Sequence, residues 1–253
     1  MTAGGGSRKI VLWRHGQTTW NVQRRFQGTT DIPLDAVGTE QAARAARLLA
    51  ALRPTAIVSS PLQRAAATAR ALAEVTGLTV THDPDLIERN GGVWEGLTNH
   101  EIRTRYPDER ASWQPPGGET GEQVAKRFNA ALERALEHIP DGGLLVVVSH
   151  GAAIRIGMLH WLGFPEELWS RRPGPIRLRG WSAGWSLSRI VWRSSRRPGW
   201  LRLGRAVISR RVGLSNGCWS ILEEGRKGWR LVEHNAGTLP EPVLSDDQTE
   251  SAA

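Results

Sequence analysis

The run "LLVVVSHG", residues 144–151, constrains this chain more than any other stretch. Its first five residues are apolar and three are valine, so no polar face is available to turn toward water. Such a run reads as a strand covered on both sides, as in a parallel sheet with helices above and below. It stops on Ser149, His150 and Gly151. Polar groups there fall at the carboxyl end of a strand, where open α/β sheets bind their ligands.

Two other segments repeat the arrangement. Residues 8–13 read as a strand whose apolar part, Ile10 to Trp13, breaks off on Arg14, His15 and Gly16. The short β-branched run "TAIVSS", 55–60, leads directly into Ser59 to Arg64. Between these lie helical patterns. "AVGTEQAARAARLLAALRP" is expected to be a helix with Leu48, Leu49 and Leu52 on one face and Pro54 as its stop. Pro61 is expected in the first turn of the next helix, where its missing N–H costs nothing. "LTVTHD" reads as a further strand. In "GGETGEQVAKRFNAALERALEHIP", Val124, Phe128, Leu132 and Leu136 recur at helical spacing, with Thr120 and Gln123 as a capping box. Strands alternating with helices predict an α/β fold, a three-layer α/β/α sandwich with a mostly parallel central sheet. A last strand is expected from about Asn216 to Leu222.

The charge is unevenly spread. The net charge of +8 would ordinarily point to nucleic acid or a membrane surface, but Ser170 to Val212 holds twelve Arg and no Lys, Asp or Glu. Without it the chain carries −4. The expected organisation is therefore a head at 1–7 and a tail at 241–253, both disordered, and one domain formed by 8–169 and 213–240. An Arg/Trp-rich insertion at 170–212 interrupts that domain. Any partner that is nucleic acid or anionic membrane would meet the insertion alone, through Arg interleaved with Trp181, Trp185, Trp192 and Trp200. Its composition equally matches what out-of-frame reading of GC-rich DNA yields. One cysteine, Cys218, excludes an intramolecular disulfide and a CxxC metal site. With no apolar stretch of signal-peptide or membrane-spanning length, a cytoplasmic location is expected. A homodimer is compatible with these features and not required by them.

The three strand ends bring a coherent set of groups together. Arg14 and Arg64 offer planar donor forks suited to phosphate oxygens. A neutral imidazole beside them is a competent nucleophile near pH 7 without a metal or other cofactor, and a second, partly protonated one could donate to the same phosphoryl group. His15 and His150 supply the two rings. A leaving alkoxide needs a proton, which a carboxyl with limited solvation could give. Glu88, in "DLIERNGGVWEGLT", is the natural candidate; Asp83, Asp85 and Glu95 lie near it in sequence. His82, His100, His138, His160 and His234 have no comparable setting.

Four blocks, "LWRHGQTTWN", "VSSPLQRAAATA", "LIERNGGVWEGLT" and "VVVSHGAAIR", resemble in order and spacing the histidine phosphatase (phosphoglycerate mutase-like) superfamily. The likeness covers about residues 8–169 and resumes at "GLSNGCWSILEEGRKGWRLVEHN". It implies that His15 is transiently phosphorylated, that Arg14, Arg64 and His150 line the phosphate pocket, and that Glu88 is the proton donor. It also implies substrate contacts from Thr18, Asn21, Gln27 and Gly28, and no metal. The chain departs from the usual pattern at Ile87, where an Arg is commoner, and at Ala152, where a second Gly is commoner.

The resemblance implies hydrolysis of a phosphomonoester on a small metabolite, a sugar phosphate or phosphoglycerate derivative. Two readings compete. One is mutase-type transfer to a second hydroxyl, which the short, mixed-charge stretch "NHEIRTRYPDERASWQPPGGET" disfavours by leaving water access. The other is a phosphatase-fold binding protein acting through its basic segment.

Overall fold

A computed structural model describes residues 6–166 and 213–237. The insertion expected at 170–212 and the tail at 241–253 lie outside the described residues, as does the head apart from Gly6 and Ser7. Six strands form one sheet: β1 (Lys9–Arg14), β2 (Ala56–Ser59), β3 (Val80–His82), β4 (Leu144–Ser149), β5 (Trp219–Gly225) and β6 (Gly228–Ala236), in the order β3-β2-β4-β1-β5-β6. The first four are parallel, and β5 and β6 form an antiparallel hairpin against β1. Sequence reading placed the last strand three residues early and missed β6. Its half-exposed pattern at the sheet edge carries a weak apolar signal.

The central strands are buried on both faces. Ile10 and Leu12 of β1, with Leu145 and Val147 of β4, face a core built with α6 (Gly121–Leu136) and α7 (Gly151–Trp161). Val11, Trp13, Val146 and Val148 face the opposite core, under α2 (Ala36–Ala50) and α3 (Gln63–Thr76). Helix, sheet and helix make the three layers; the shorter α1 (Thr19–Val22), α4 (Asn99–Arg105) and α5 (Pro107–Ser112) lie in the connections.

Local chemistry explains the helices. Val124, Phe128 and Leu132 are fully buried, each worth roughly 1.5–3 kcal/mol. The Thr120–Gln123 capping box closes the start of α6, with Thr120 Oγ1 accepting from the Gln123 N–H at 3.1 Å. Gly157 lets α7 approach Phe128 so closely that a Cβ would stand 2.1 Å from the ring.

Two expectations need correction. In α2 the buried face is Ala42, Ala45, Ala46 and Leu49, while Leu48 and Leu52 are 43% and 42% exposed. The close packing of α2 on its neighbours selects small residues, so the larger apolar ones fall outside the contact. Pro61 does not start α3, which begins at Gln63 with Leu62 as N-cap; Pro61 lies in the turn leaving β2.

Candidate active site

Register decides which residues meet. Arg14 pairs with Ser149 across β1 and β4, and Ser59 pairs with Val148 across β2 and β4. Beyond these pairs the ladder continues for one step: the His15 N–H donates to the Ser149 carbonyl at 3.1 Å, and the Ser60 N–H to the Val148 carbonyl at 2.9 Å. Three neighbouring strands therefore end at one level. Because β5 runs the other way, the chain entering it, residues 213–218, arrives at the same edge.

His15 and His150 are both buried, with ring centroids 5.2 Å apart. His15 Nδ1 lies 2.6 Å from the Gly16 carbonyl. A carbonyl can only accept, so this contact assigns the proton to Nδ1 and leaves the lone pair on Nε2. Burial, reinforced by the charges of Arg64 and Arg14, holds the His15 pKa well below the ordinary imidazole value. His15 is neutral at pH 7.

His150 is neutral for the same reasons, burial first and then Arg64, which corrects the expectation of a partly protonated ring. Its Nδ1 accepts from Arg64 Nε at 3.2 Å, and its Nε2 lies 2.8 Å from Ser60 Oγ. Arg64 also donates to the carbonyls of Thr30 and Gly28, both at 2.8 Å. Burial lowers its pKa to about 10, which leaves it charged at neutral pH. Arg14 donates from Nη1 to the Leu214 carbonyl at 2.6 Å, and Gly151 leaves room for its guanidinium, 3.2 Å from where a Cβ would stand.

Glu88 reaches the same place from the loop after β3. Its carboxylate accepts from the N–H groups of Ala152 and Ala153 at 3.1 and 2.8 Å, at the amino end of α7, and from its neighbour Arg89 at 2.8 Å. The other carboxylates are engaged elsewhere. Asp83 and Asp85 pair with Arg134 near the surface. Glu95 accepts from the N–H and hydroxyl groups of Thr29 and Thr30 and from the Gly91 N–H. Burial opposes its charged form, but those donors outweigh it and hold the Glu95 carboxyl below its usual pKa. Glu95 fixes the loop behind Gly28, whose φ of +55° and lack of a Cβ permit the contact.

Arg14, His15, Gln27, Gly28, Arg64 and Glu88 line one open cleft whose empty space, counted out to bulk solvent, is about 810 Å³. His150 lies behind it, joined through Arg64. Thr18 and Asn21 do not line it. Thr18 caps the short helix α1 (Thr19–Val22), and Asn21 Oδ1 accepts from the Thr18 N–H at 3.1 Å.

Sequence reading missed several lining residues, including Arg24, Arg25, Trp113 and Arg155, and the return segment Gly213–Leu214. It also missed Asn216, whose buried Nδ2 donates to the His15 and Gly16 carbonyls and to Asn21 Oδ1. The signal was present in "GLSNG", a cluster of turn residues just ahead of a strand.

The parallel strand ends thus bring two buried imidazoles, two guanidiniums and a carboxylate to one edge of the sheet. The chain belongs to the histidine phosphatase superfamily, whose branch 1 pattern matches residues 10–181, and it is a phosphatase enzyme of that group. It is 36% identical over 206 residues to the glucosyl-3-phosphoglycerate phosphatase of Mycobacterium tuberculosis, covering 74% of this chain and 92% of that protein. It is also 36% identical over 212 residues to the probable phosphoglycerate mutase GpmB of Yersinia pestis, covering 79% and 91%. Among solved structures, mycobacterial glucosyl-3-phosphoglycerate phosphatase complexed with VO3 superposes with a TM-score of 0.71 at 32% identity, covering 91% of this chain and 100% of that one. Among the described residues no helix is long and apolar enough to cross a membrane.

Proposed function

We propose that the protein hydrolyses phosphomonoesters of small sugar or phosphoglycerate derivatives through a phosphohistidine on His15, without a metal. The observation that carries this reading is the His15 Nδ1–Gly16 carbonyl contact of 2.6 Å, which leaves Nε2 as the nucleophilic nitrogen beside Arg14 and Arg64. In the first step the Nε2–P bond forms and the ester P–O bond breaks. Arg14 and Arg64 offset the charge on the equatorial oxygens, and Glu88 gives its proton to the leaving oxygen. His150 stays neutral and acts through Arg64: its Nδ1 accepts from Arg64 Nε and holds that guanidinium toward the phosphoryl group. In the second step Glu88 takes a proton from water, the water oxygen attacks phosphorus and the N–P bond breaks.

Gln27 and Gly28 contact the substrate directly, whereas Thr18 and Asn21 act by holding the loop that follows His15. Arg24, Arg25 and Arg155 on the cleft lining suit a substrate with an anionic group besides the phosphate. The names of the mycobacterial relatives support a phosphorylated sugar acid. The relative named as a probable mutase favours a second reading, transfer to a second hydroxyl instead of water.

The decisive experiment uses p-nitrophenyl phosphate in excess EDTA, followed by rapid quench. Turnover with an acid-labile, base-stable phosphate on His15, lost in His15→Ala, is the expected result. An acid-stable phosphoester, or a strict metal requirement, would overturn the proposal. Release of inorganic phosphate from 3-phosphoglycerate without appearance of the 2-isomer separates hydrolysis from mutase transfer.

A further inference from the structure

Glu88 sits in a stretch with no strand or α-helix of its own, between a 3-10 turn at Pro84–Leu86 and another at Gly92–Trp94. A loop of this kind lacks a hydrogen-bond ladder, so something else must satisfy its carbonyls. One side chain does most of it. Arg127, on α6, donates from Nη1 to the carbonyls of Asp85 and Ile87, both at 2.7 Å, and from Nη2 to the carbonyl of Glu88 at 3.0 Å. Its other edge grips Glu119 in a bidentate pair, Nε to Oε1 at 2.7 Å and Nη2 to Oε2 at 2.9 Å. Glu119 then reaches back to the same loop. Its Oε2 accepts from the Asn90 N–H at 2.8 Å, and its carbonyl accepts from Arg89 Nε at 2.8 Å.

We propose that Arg127, paired with Glu119, is a positioning residue for the Glu88 carboxyl; this rests on the reading of Glu88 as proton donor. The pair brackets the 85–90 backbone on both sides of Glu88. The Glu88 carboxylate is held separately, by the first N–H groups of α7. Since α6 and α7 interlock at Phe128 and Gly157, Arg127 sets where the Glu88 backbone stands relative to the end of β4. Only a guanidinium can serve three carbonyls and a carboxylate from one plane; an ammonium presents a single point. A carboxyl misplaced by a fraction of an ångström remains an acid but no longer meets the leaving oxygen.

The test separates this role from mere support of the fold. It measures kcat and KM on two esters: p-nitrophenyl phosphate, whose leaving group needs little protonation, and glycerol phosphate, whose alkoxide needs a full proton. Glu88→Gln should lose about 10²–10⁴ in kcat on glycerol phosphate and far less on the aryl ester. Arg127→Met should show the same asymmetry in weaker form, about tenfold or more against less than about threefold, with KM for the aryl ester unchanged. Added guanidinium should restore part of the glycerol phosphate activity, and Arg127→Met should cost little more once Glu88 is already Gln. If Arg127→Met does not fold, Glu119→Gln, which keeps an acceptor for Asn90 but weakens the grip on Arg127, should show the asymmetry alone. Equal losses on both esters, or none, in the folded variant overturn the positioning role. Absence of asymmetry in Glu88→Gln instead overturns the proton-donor reading and leaves Arg127 a structural clamp.

Discussion

Arg64 and His150 are joined by one hydrogen bond, Nε to Nδ1 at 3.2 Å, and both are buried. A guanidinium facing a ring nitrogen requires that nitrogen to be unprotonated. The pair is therefore compatible with a neutral imidazole and hostile to a charged one. With His15 in the same condition, the site keeps two neutral imidazoles beside two cations.

Acid should consequently destabilise the fold earlier than ordinary carboxylate chemistry would. The folded pKa of both histidines lies below the unfolded value near 6.5, so the unfolded chain binds more protons in the interval between them. The stabilisation is complete above about pH 6.5 and is lost as pH falls below it, by up to about 1.4 kcal/mol per pH unit for each ring. Urea unfolding at several pH values measures the slope. A His15→Gln, His150→Gln double variant with the same slope as the parent would refute the assignment.

Arg64→Lys keeps the charge but cannot reach His150 Nδ1, Thr30 and Gly28 together. Arg14→Lys likewise loses the fork. Each should cost about 1.5–3 kcal/mol in transition-state stabilisation per charge-assisted bond removed, read as a fall in kcat/KM. Wild-type activity in Arg64→Lys would remove Arg64 from the phosphoryl pocket.

Gly16 and Gly38 press backbone against backbone at the entry to α2. A Cβ on Gly16 would lie 2.2 Å from the Gly38 carbonyl oxygen, and one on Gly38 would lie 2.0 Å from that of Gln17. Either Gly→Ala change should cost about 1–3 kcal/mol and displace His15, with activity falling further than stability explains. Gly77→Ala is the contrast: it has open space around it but a φ of +74°, so it should lose stability and leave kcat intact.

Replacing residues 172–211 with a short Gly/Ser linker should leave activity within about fivefold, since the groups proposed to carry the chemistry all lie outside that stretch. Extending the replacement through Asn216 should abolish it. That removes the Leu214 carbonyl that Arg14 binds and the amide that holds the His15 and Gly16 carbonyls. Loss of folding in the shorter replacement would show that the segment belongs to the domain.

The strands and the groups at their ends were legible because period and burial agree there. The apolar runs of β1 and β4 announce two-sided burial, and each ends on a residue too polar to continue it. What was not legible depends on contacts distant in sequence. Arg127 reads as an ordinary solvated position on α6, and nothing local ties it to carbonyls 39–42 residues earlier. Leu48 and Leu52 mislead because a run of alanines conceals the real contact face of α2. Asn216 acts across some 200 residues, and only the antiparallel direction of β5 brings it to the site.

The amides of His15 and Ser60 extend the ladder of the sheet itself, while residues 85–90 lie outside it and are held to α6 chiefly through the Arg127 and Glu119 side chains. Amide hydrogen exchange should divide the site accordingly. The nucleophile's backbone should open only with global unfolding, and the loop bearing Glu88 should open on its own, faster. Half of the site is thus as fixed as the sheet, and the other half answers to single substitutions on α6. The choice of leaving group can then be retuned on α6 without disturbing the strand ends that hold His15 and Arg64.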